Sequence, residues 1–291
     1  MSNFAILVAV VAVSFSAIFI KWSDSHPFVI AFYRMGITCL MLFPLVMLEY
    51  RKELKSIDRK DLLTMVGIGV VLSVHFATWI TSLTQTSVAS SVILVTSHPL
   101  FVAIVSYYLF KEGLRKIGYI GILIAFSGII VLSFGDYSKG GQNLSGDMLA
   151  LAGAFAAGIY ILGGRKLRKT VSLVPYVFIV YSICTLFLLS FCLMASAQLH
   201  PLPPREYQLF LLMAIIPTIF GHTLYNWALK YVKAQVVSVS LLGEPIGASI
   251  LAYILLENEV PTIFTFIGGA LILSGIYITY SSRNEKKVGK S

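Results

Sequence analysis

Charge is scarce in this chain, and negative charge is scarcer still. Only 12% of its 291 residues are charged, with 13 Asp and Glu against 22 Lys and Arg. A soluble globular domain carries roughly 25% charged residues, so an ordinary water-facing surface is excluded. Cysteine is limited to Cys39, Cys184 and Cys192, each inside an apolar run. That excludes a disulfide framework and leaves three buried thiols. Chemical signatures are missing too. There is no G-x-x-x-x-G-K-[ST] loop, no H-E-x-x-H and no G-x-S-x-G. The histidines lack metal-ligand spacing. An ATP-driven pump, a zinc peptidase and a serine hydrolase thereby lose their working parts. No cofactor, no metal and no enzymatic role is expected.

What remains is apolar. Hydrophobic residues make up 57% of the chain, in runs long enough to cross a hydrocarbon core of ~30 Å. Ten spans are expected near 3–21, 28–48, 62–83, 88–110, 116–134, 147–164, 174–197, 207–229, 234–256 and 262–281. No connection between them is long enough to hold a soluble domain. The first run lacks a basic leader and a small-residue cleavage site, so it is expected to be a retained span.

The net charge of +9 describes topology, not a nucleic-acid partner. With the N-terminus in the cytoplasm, eighteen of the basic residues fall in inside loops and the tail. Only Lys21, Lys139 and Arg205 fall outside, and Arg34 lies within the second span. This bias predicts a plasma membrane protein of a prokaryotic cell with both termini cytoplasmic.

The chain also repeats itself at an offset of about 147 residues. His75 recurs as His222. His98-Pro99 recurs as Glu244-Pro245, and Gly121, Ser127 and Gly128 recur as Gly268, Ser274 and Gly275. Glu112 recurs as either Glu257 or Glu259, with the alignment favouring the latter. The charges of equivalent loops are reversed: loop 2–3 holds five basic residues and loop 7–8 one, while loop 1–2 holds one and loop 6–7 four. Five spans per copy is odd, so the second copy must enter from the other side. The fold class predicted is an all-α integral membrane protein. Its ten transmembrane helices form two inverted five-helix repeats, 1–138 and 139–291.

These motifs are similar to those of the drug/metabolite transporter superfamily, EamA type. The first copy reads HFATWITSLTQTSVASS (75–91), TSHPLF (96–101), FKEGL (110–114) and GILIAFSGII (121–130). The second reads HTLYNWALKYVKAQVVSVS (222–240), LLGEPIG (241–247), LENEVP (256–261) and GGALILSGIY (268–277). Proteins resembling this one export small metabolites such as amino acids, or carry nucleotide sugars, triose phosphates or drugs. The resemblance implies a carrier that works by alternating access.

Polar groups in hydrocarbon are expensive and mark candidate sites. Glu244 lies about ten residues into the ninth span, where a charge costs roughly 2.5–3.5 kcal/mol. Pro245 follows it, as Pro99 follows His98. Each proline withholds a backbone donor and is expected to break its helix. Glu244 and His98 are the candidate coupling groups, because either can exchange a proton or bind a cation. His75 and Trp79 share a face of the third span, as do His222, Tyr225 and Asn226 on the eighth. These groups suit the lining of a cavity built from spans one to four and six to nine. Arg34 either snorkels to the outer interface or pairs with an anionic substrate group; Tyr181 replaces it in the second copy. A zwitterion such as an amino acid fits this set, with a cationic drug as runner-up and an intramembrane enzyme or a channel as other classes. Partners expected are the bilayer, a small-molecule substrate and a second copy of the chain. The Gly-rich fifth and tenth spans are read as packing faces that meet near the pseudo-symmetry axis, and as a contact for that second copy.

Overall fold

The computed structural model describes residues 2–102, 115–137, 143–168, 170–228, 230, 241, 243–257 and 259–281. Glu112 lies outside them. Every regular element among the described residues is helical, as lipid demands, because only internal hydrogen bonds can satisfy the backbone there. In chain order these are α1 (Ser2–Ser14), α2 (Ser16–Lys21), α3 (Pro27–Glu49), α4 (Arg51–Ser56), α5 (Arg59–Ser82) and α6 (Val88–Val95). Then follow α7 (Lys116–Tyr137), α8 (Asn143–Leu167), α9 (Leu173–Met194) and α10 (Pro204–Met213). A π-helical stretch, Ala214–Thr223, leads into α11 (Leu224–Ala228), and α12 (Gly243–Leu255) and α13 (Ile263–Ser281) complete the set. Local chemistry sets several starts. Asp58 accepts from the Asp61 amide before α5, Ser87 from the Ser90 amide before α6, and Pro27 opens α3.

Among the described residues, seven helices are long and apolar enough to cross a membrane, and Val88–Val102, Gly243–Leu255 and Ile263–Thr279 are further apolar helices of 10–17 residues; parts of the expected fourth and ninth spans lie outside the described residues. The fourth is irregular where its proline predicts. The amides of Ser97 and Leu100 reach back only three residues, to Leu94 and Ser97, and the Ser97 hydroxyl donates to the Leu94 carbonyl at 2.6 Å. Pro245 sits in the first turn of α12, where a missing N–H costs little.

Helix pairings respect an exchange of halves. α5 packs on α8 as the π stretch packs on α1. α6 packs on α8 as α12 packs on α1. α9 meets α5 as α3 meets α10 and the π stretch. Three pairs map onto themselves: α3 with α9, α6 with α12, and α7 with α13.

The last of these is a glycine seam. A Cβ added to Gly121 would lie 2.7 Å from the Gly275 carbonyl oxygen, and one on Gly128 would lie 2.7 Å from that of Gly268. The converse approaches are 2.5 Å for Gly275 on Gly121 and 2.8 Å for Gly268 on Gly128. No side chain fits, so these backbones touch. Away from the seam, Leu123, Ile130, Phe266 and Tyr277 turn outward, as lipid-facing residues should.

Loop contacts fall into two sets. Glu206 binds the 23–25 loop, Gln85 binds Ser145, and Glu259 binds Lys21 and the Val88 amide. Elsewhere Glu53 accepts from the Ser172 amide and Asp61 from the Thr170 hydroxyl. Among the described residues, no side-chain hydrogen bond or ion pair joins a loop of one set to a loop of the other.

Candidate functional site

Within the bundle lies a small cavity of about 40 Å³. Ser16, His75, Trp79, Thr96, His98, Tyr160, His222, Tyr225 and Glu244 supply its polar wall. Val13, Val95, Ala157, Ile161 and Leu241 supply the apolar remainder. Six of the eight sequence-predicted lining residues are therefore brought together. The other two, Arg34 and Asn226, stand directly behind the wall. The second and seventh spans, α3 and α9, contribute no lining residue, contrary to expectation; they support from outside.

Repeat arithmetic explains the composition. Val13 and Tyr160, His75 and His222, and Trp79 and Asn226 are each 147 apart; His98 and Glu244 are 146 apart. Equivalent positions face one cavity from opposite sides, and most pairs differ chemically.

Each polar group has a definite assignment. His75 Nδ1 lies 2.9 Å from the Gly153 carbonyl. A carbonyl only accepts, so Nδ1 carries the hydrogen and Nε2 of the neutral ring is left as an acceptor. The ring stacks on Trp79 at 6.0 Å and 15°. Among the described residues, neither Trp79 Nε1 nor His98 Nδ1, both buried, has a hydrogen-bond partner. Across the cavity, His222 Nδ1 pairs with the Tyr225 hydroxyl at 3.0 Å. Asn226 Nδ2 donates to the Tyr160 hydroxyl oxygen at 2.9 Å and to the His222 carbonyl at 2.7 Å. Tyr160, having accepted one hydrogen, keeps its own to donate. Glu244 occupies the first turn of α12, where the helix dipole favours a negative charge. Among the described residues, no hydrogen bond or ion pair reaches its carboxylate.

Arg34 is fully buried, so it does not snorkel. Its Nε donates to Thr218 Oγ1 and its Nη1 to Ser16 Oγ, both at 2.8 Å. The guanidinium lies 4.7 Å over the Phe76 ring, and among the described residues Nη2 has no partner. The π stretch makes this pocket. Pro217 interrupts the regular ladder, and the Thr218 hydroxyl donates to the Met213 carbonyl five residues back at 2.8 Å. That turns its oxygen toward Arg34. Such widened turns occur often at functional sites.

Ser16, Thr96, Tyr160 and Thr218 were not foreseen from sequence. Tyr160 had a signal: offset arithmetic carries it onto Val13, a mid-span position of the first copy. Ser16 sits at the α1–α2 break around Phe15, which apolar periodicity does not reveal. No group of three or more His, Cys, Asp or Glu among the described residues could hold a metal ion.

Comparisons with known proteins agree with this architecture. The model of the EamA-like transporter family matches residues 1–134 and 144–281. An uncharacterized transporter of Archaeoglobus fulgidus is 26% identical over 298 residues, covering 97% of each chain. The uncharacterized transporter YdfC of Bacillus subtilis is 24% identical over 88% of this chain and 82% of its own. A solved crystal structure superposes with a TM-score of 0.66 at 17% identity, covering 95% of both chains, which speaks for the fold alone.

Proposed function

The chain belongs to the EamA-like transporter family, and on that premise we propose that it exports small polar metabolites, amino acids above all, in exchange for protons. It is a multi-pass membrane protein, and its relatives' names indicate a transporter rather than an enzyme. In the proposed form, two five-span repeats, 1–138 and 139–291, rock about the central cavity. Both termini lie in the cytoplasm of a prokaryotic cell. Any homodimer contact uses the lipid-facing surface, because the glycine seam is occupied within the chain.

One observation carries the substrate class. Among the described residues, no hydrogen bond or ion pair reaches the Glu244 carboxylate in the cavity wall, and Trp79 Nε1 is a buried donor without a partner. Leaving such a group unsatisfied costs about 1–3 kcal/mol, so a ligand complementary to both is favoured. A zwitterion supplies an ammonium for Glu244 and a carboxylate for the indole N–H. Ser16 and Tyr160 offer further hydroxyl donors.

The sequence holds no ATP loop, so uphill movement must use an ion gradient. Proton and ammonium compete for the Glu244 carboxylate, and that competition alone produces antiport. His98, its repeat equivalent across the cavity, is the second candidate proton carrier.

The test is flux from proteoliposomes loaded with a labelled amino-acid mixture. Saturable efflux that accelerates when the outside is made acidic supports the reading. Absence of amino-acid flux beside robust efflux of tetraphenylphosphonium would replace it with cation efflux.

A further inference from the structure

Three carboxylates near helix ends, Glu53, Glu206 and Glu259, tie segments together, and they are of two kinds. Glu206 and Glu53 form one kind. Glu206 accepts from the Ser23 and Ser25 hydroxyls and, at 3.2 Å, from the Asp24 amide. Glu53 accepts from the Ser172 amide at 2.8 Å. The repeat offset of 147 carries Ser25 onto Ser172. Each half thus grips the loop entering the other half's second helix, α3 or α9, and neither helix lines the cavity. The two grips lie on opposite faces and are formed together. Contacts made on both faces at once cannot be the ones that alternate.

Glu259 is the other kind. Its Oε1 lies 3.0 Å from Lys21 Nζ, the one ion pair found among the described residues. Its Oε2 accepts from the Val88 amide at 3.0 Å. One side chain, just beyond α12, therefore holds the end of α2 and the start of α6. All three of these segments lead to the cavity: α2 begins at Ser16, α6 ends at Val95, and α12 carries Glu244. At 1.5 Å per residue, Lys21 and Val88 lie roughly 8–10 Å along their helices from those wall residues. The tie thus joins three segments that each reach the cavity wall.

We propose that Glu259, by binding Lys21 and the Val88 amide, bolts the outer gate of the transporter, while Glu206 and Glu53 are fixed clamps. This rests on the alternating-access reading above. Both partners of the ion pair are partly exposed, with 28% and 14% of their side chains accessible. Pairs in that setting are weak, as a contact remade in every cycle must be. Release of Glu259 frees α2 and α6 from the second half at one stroke and opens a path to Thr96 and His98. The offset also carries Lys21 onto Arg168 and Glu259 onto Glu112; Glu112 lies outside the described residues, and the outer set alone is at issue.

The test needs no substrate. In a background with Cys39, Cys184 and Cys192 replaced by serine, a Thr96→Cys reporter is placed on the cavity wall. Its rate of labelling by a membrane-impermeant methanethiosulfonate is measured on intact cells. E259Q and K21Q are expected to raise that rate several-fold, and the exchange K21E with E259K to bring it back toward the parent. E206Q is expected to lower the melting temperature without raising the rate. Unchanged labelling in E259Q and K21Q, with parent-like melting temperatures, would overturn the gate. So would an equal rise in E206Q. Because labelling reads the gate alone, an error in substrate class leaves this result standing. Amino-acid flux with unaltered labelling sinks the gate but not the transporter.

Discussion

The glycine seam and the central cavity are built from the same duplicated segment, yet duplication has been treated oppositely in the two places. At the seam, equivalent positions kept the same residue: Gly121 and Gly268, Gly128 and Gly275. Across the cavity, equivalent positions diverged: Trp79 against Asn226, His98 against Glu244, Val13 against Tyr160. Close backbone packing is a symmetric requirement, since each helix must yield the same space to the other. Recognition of a small molecule with unlike ends is an asymmetric one. Symmetry therefore marks structure here, and broken symmetry marks chemistry.

Breaking the seam should have the largest effect. Gly128→Leu places a branched side chain where even a Cβ would lie 2.7 Å from the Gly268 carbonyl oxygen. Overpacking ordinarily costs about 1–3 kcal/mol, and here the obstacle is backbone that cannot rotate away. The variant is expected to fail to accumulate as monodisperse protein in detergent, by size-exclusion chromatography. Gly268→Leu should fail equally. A large difference between the two would show that the seam is less symmetric than its contacts suggest.

Much of this comparison can be read from sequence, for a physical reason. Lipid removes water as a partner, so every polar residue inside an apolar run stands out, and Glu244, His98, His75, Trp79 and His222 all proved to face one cavity. The reversal of loop charge predicts an inverted second copy without any coordinates. Arg34 was legible as an anomaly but not as a placement. Its depth allowed snorkelling, and its burial depends on the Ala214–Thr223 π turn, which hydrophobic periodicity does not encode. Thr218 became visible only with that turn. Tyr160 hid among fifteen tyrosines, most of them unremarkable without a partner's position.

Next in size is the charge asymmetry of the cavity. Glu244→Gln keeps shape and hydrogen-bonding capacity but loses the negative charge. A charged hydrogen bond contributes about 1.5–3 kcal/mol, so amino-acid flux should fall roughly 10- to 100-fold with the melting temperature unchanged. Parent-like flux at equal expression, across a range of external pH, would remove Glu244 from the mechanism. His98→Gln at the equivalent position should cost less, because it removes no fixed charge from the substrate's ammonium.

The donor asymmetry is smaller again. Trp79→Phe keeps an aromatic ring against His75 and deletes only the unpartnered Nε1–H. Loss of one hydrogen bond to the substrate carboxylate, about 1.5 kcal/mol at the low end for charged partners, should raise KM roughly tenfold and leave the maximal rate near that of the parent. A fall in rate at constant KM would mean that the indole acts in the conformational change and not in binding.

The smallest effect tests symmetry where it is only approximate, at the two clamps. Glu206 is buried and holds two hydroxyls and an amide, whereas Glu53 holds the Ser172 amide. Both satisfy groups at a helix entrance, the kind of contact whose loss costs about 0.5–2 kcal/mol. Glu53→Gln should fall at the bottom of that range, since an amide oxygen can still accept from Ser172. Glu206→Gln should reach the top, since it replaces a carboxylate acceptor of three bonds by a group with one accepting oxygen. Thermal melts of the two variants side by side, in the same detergent, measure the difference. If Glu53→Gln proved the more damaging, the face bearing Glu53 and not the face bearing Glu206 would be the firmer anchor of α3 and α9. The rocking of the two halves would then have to pivot nearer that side.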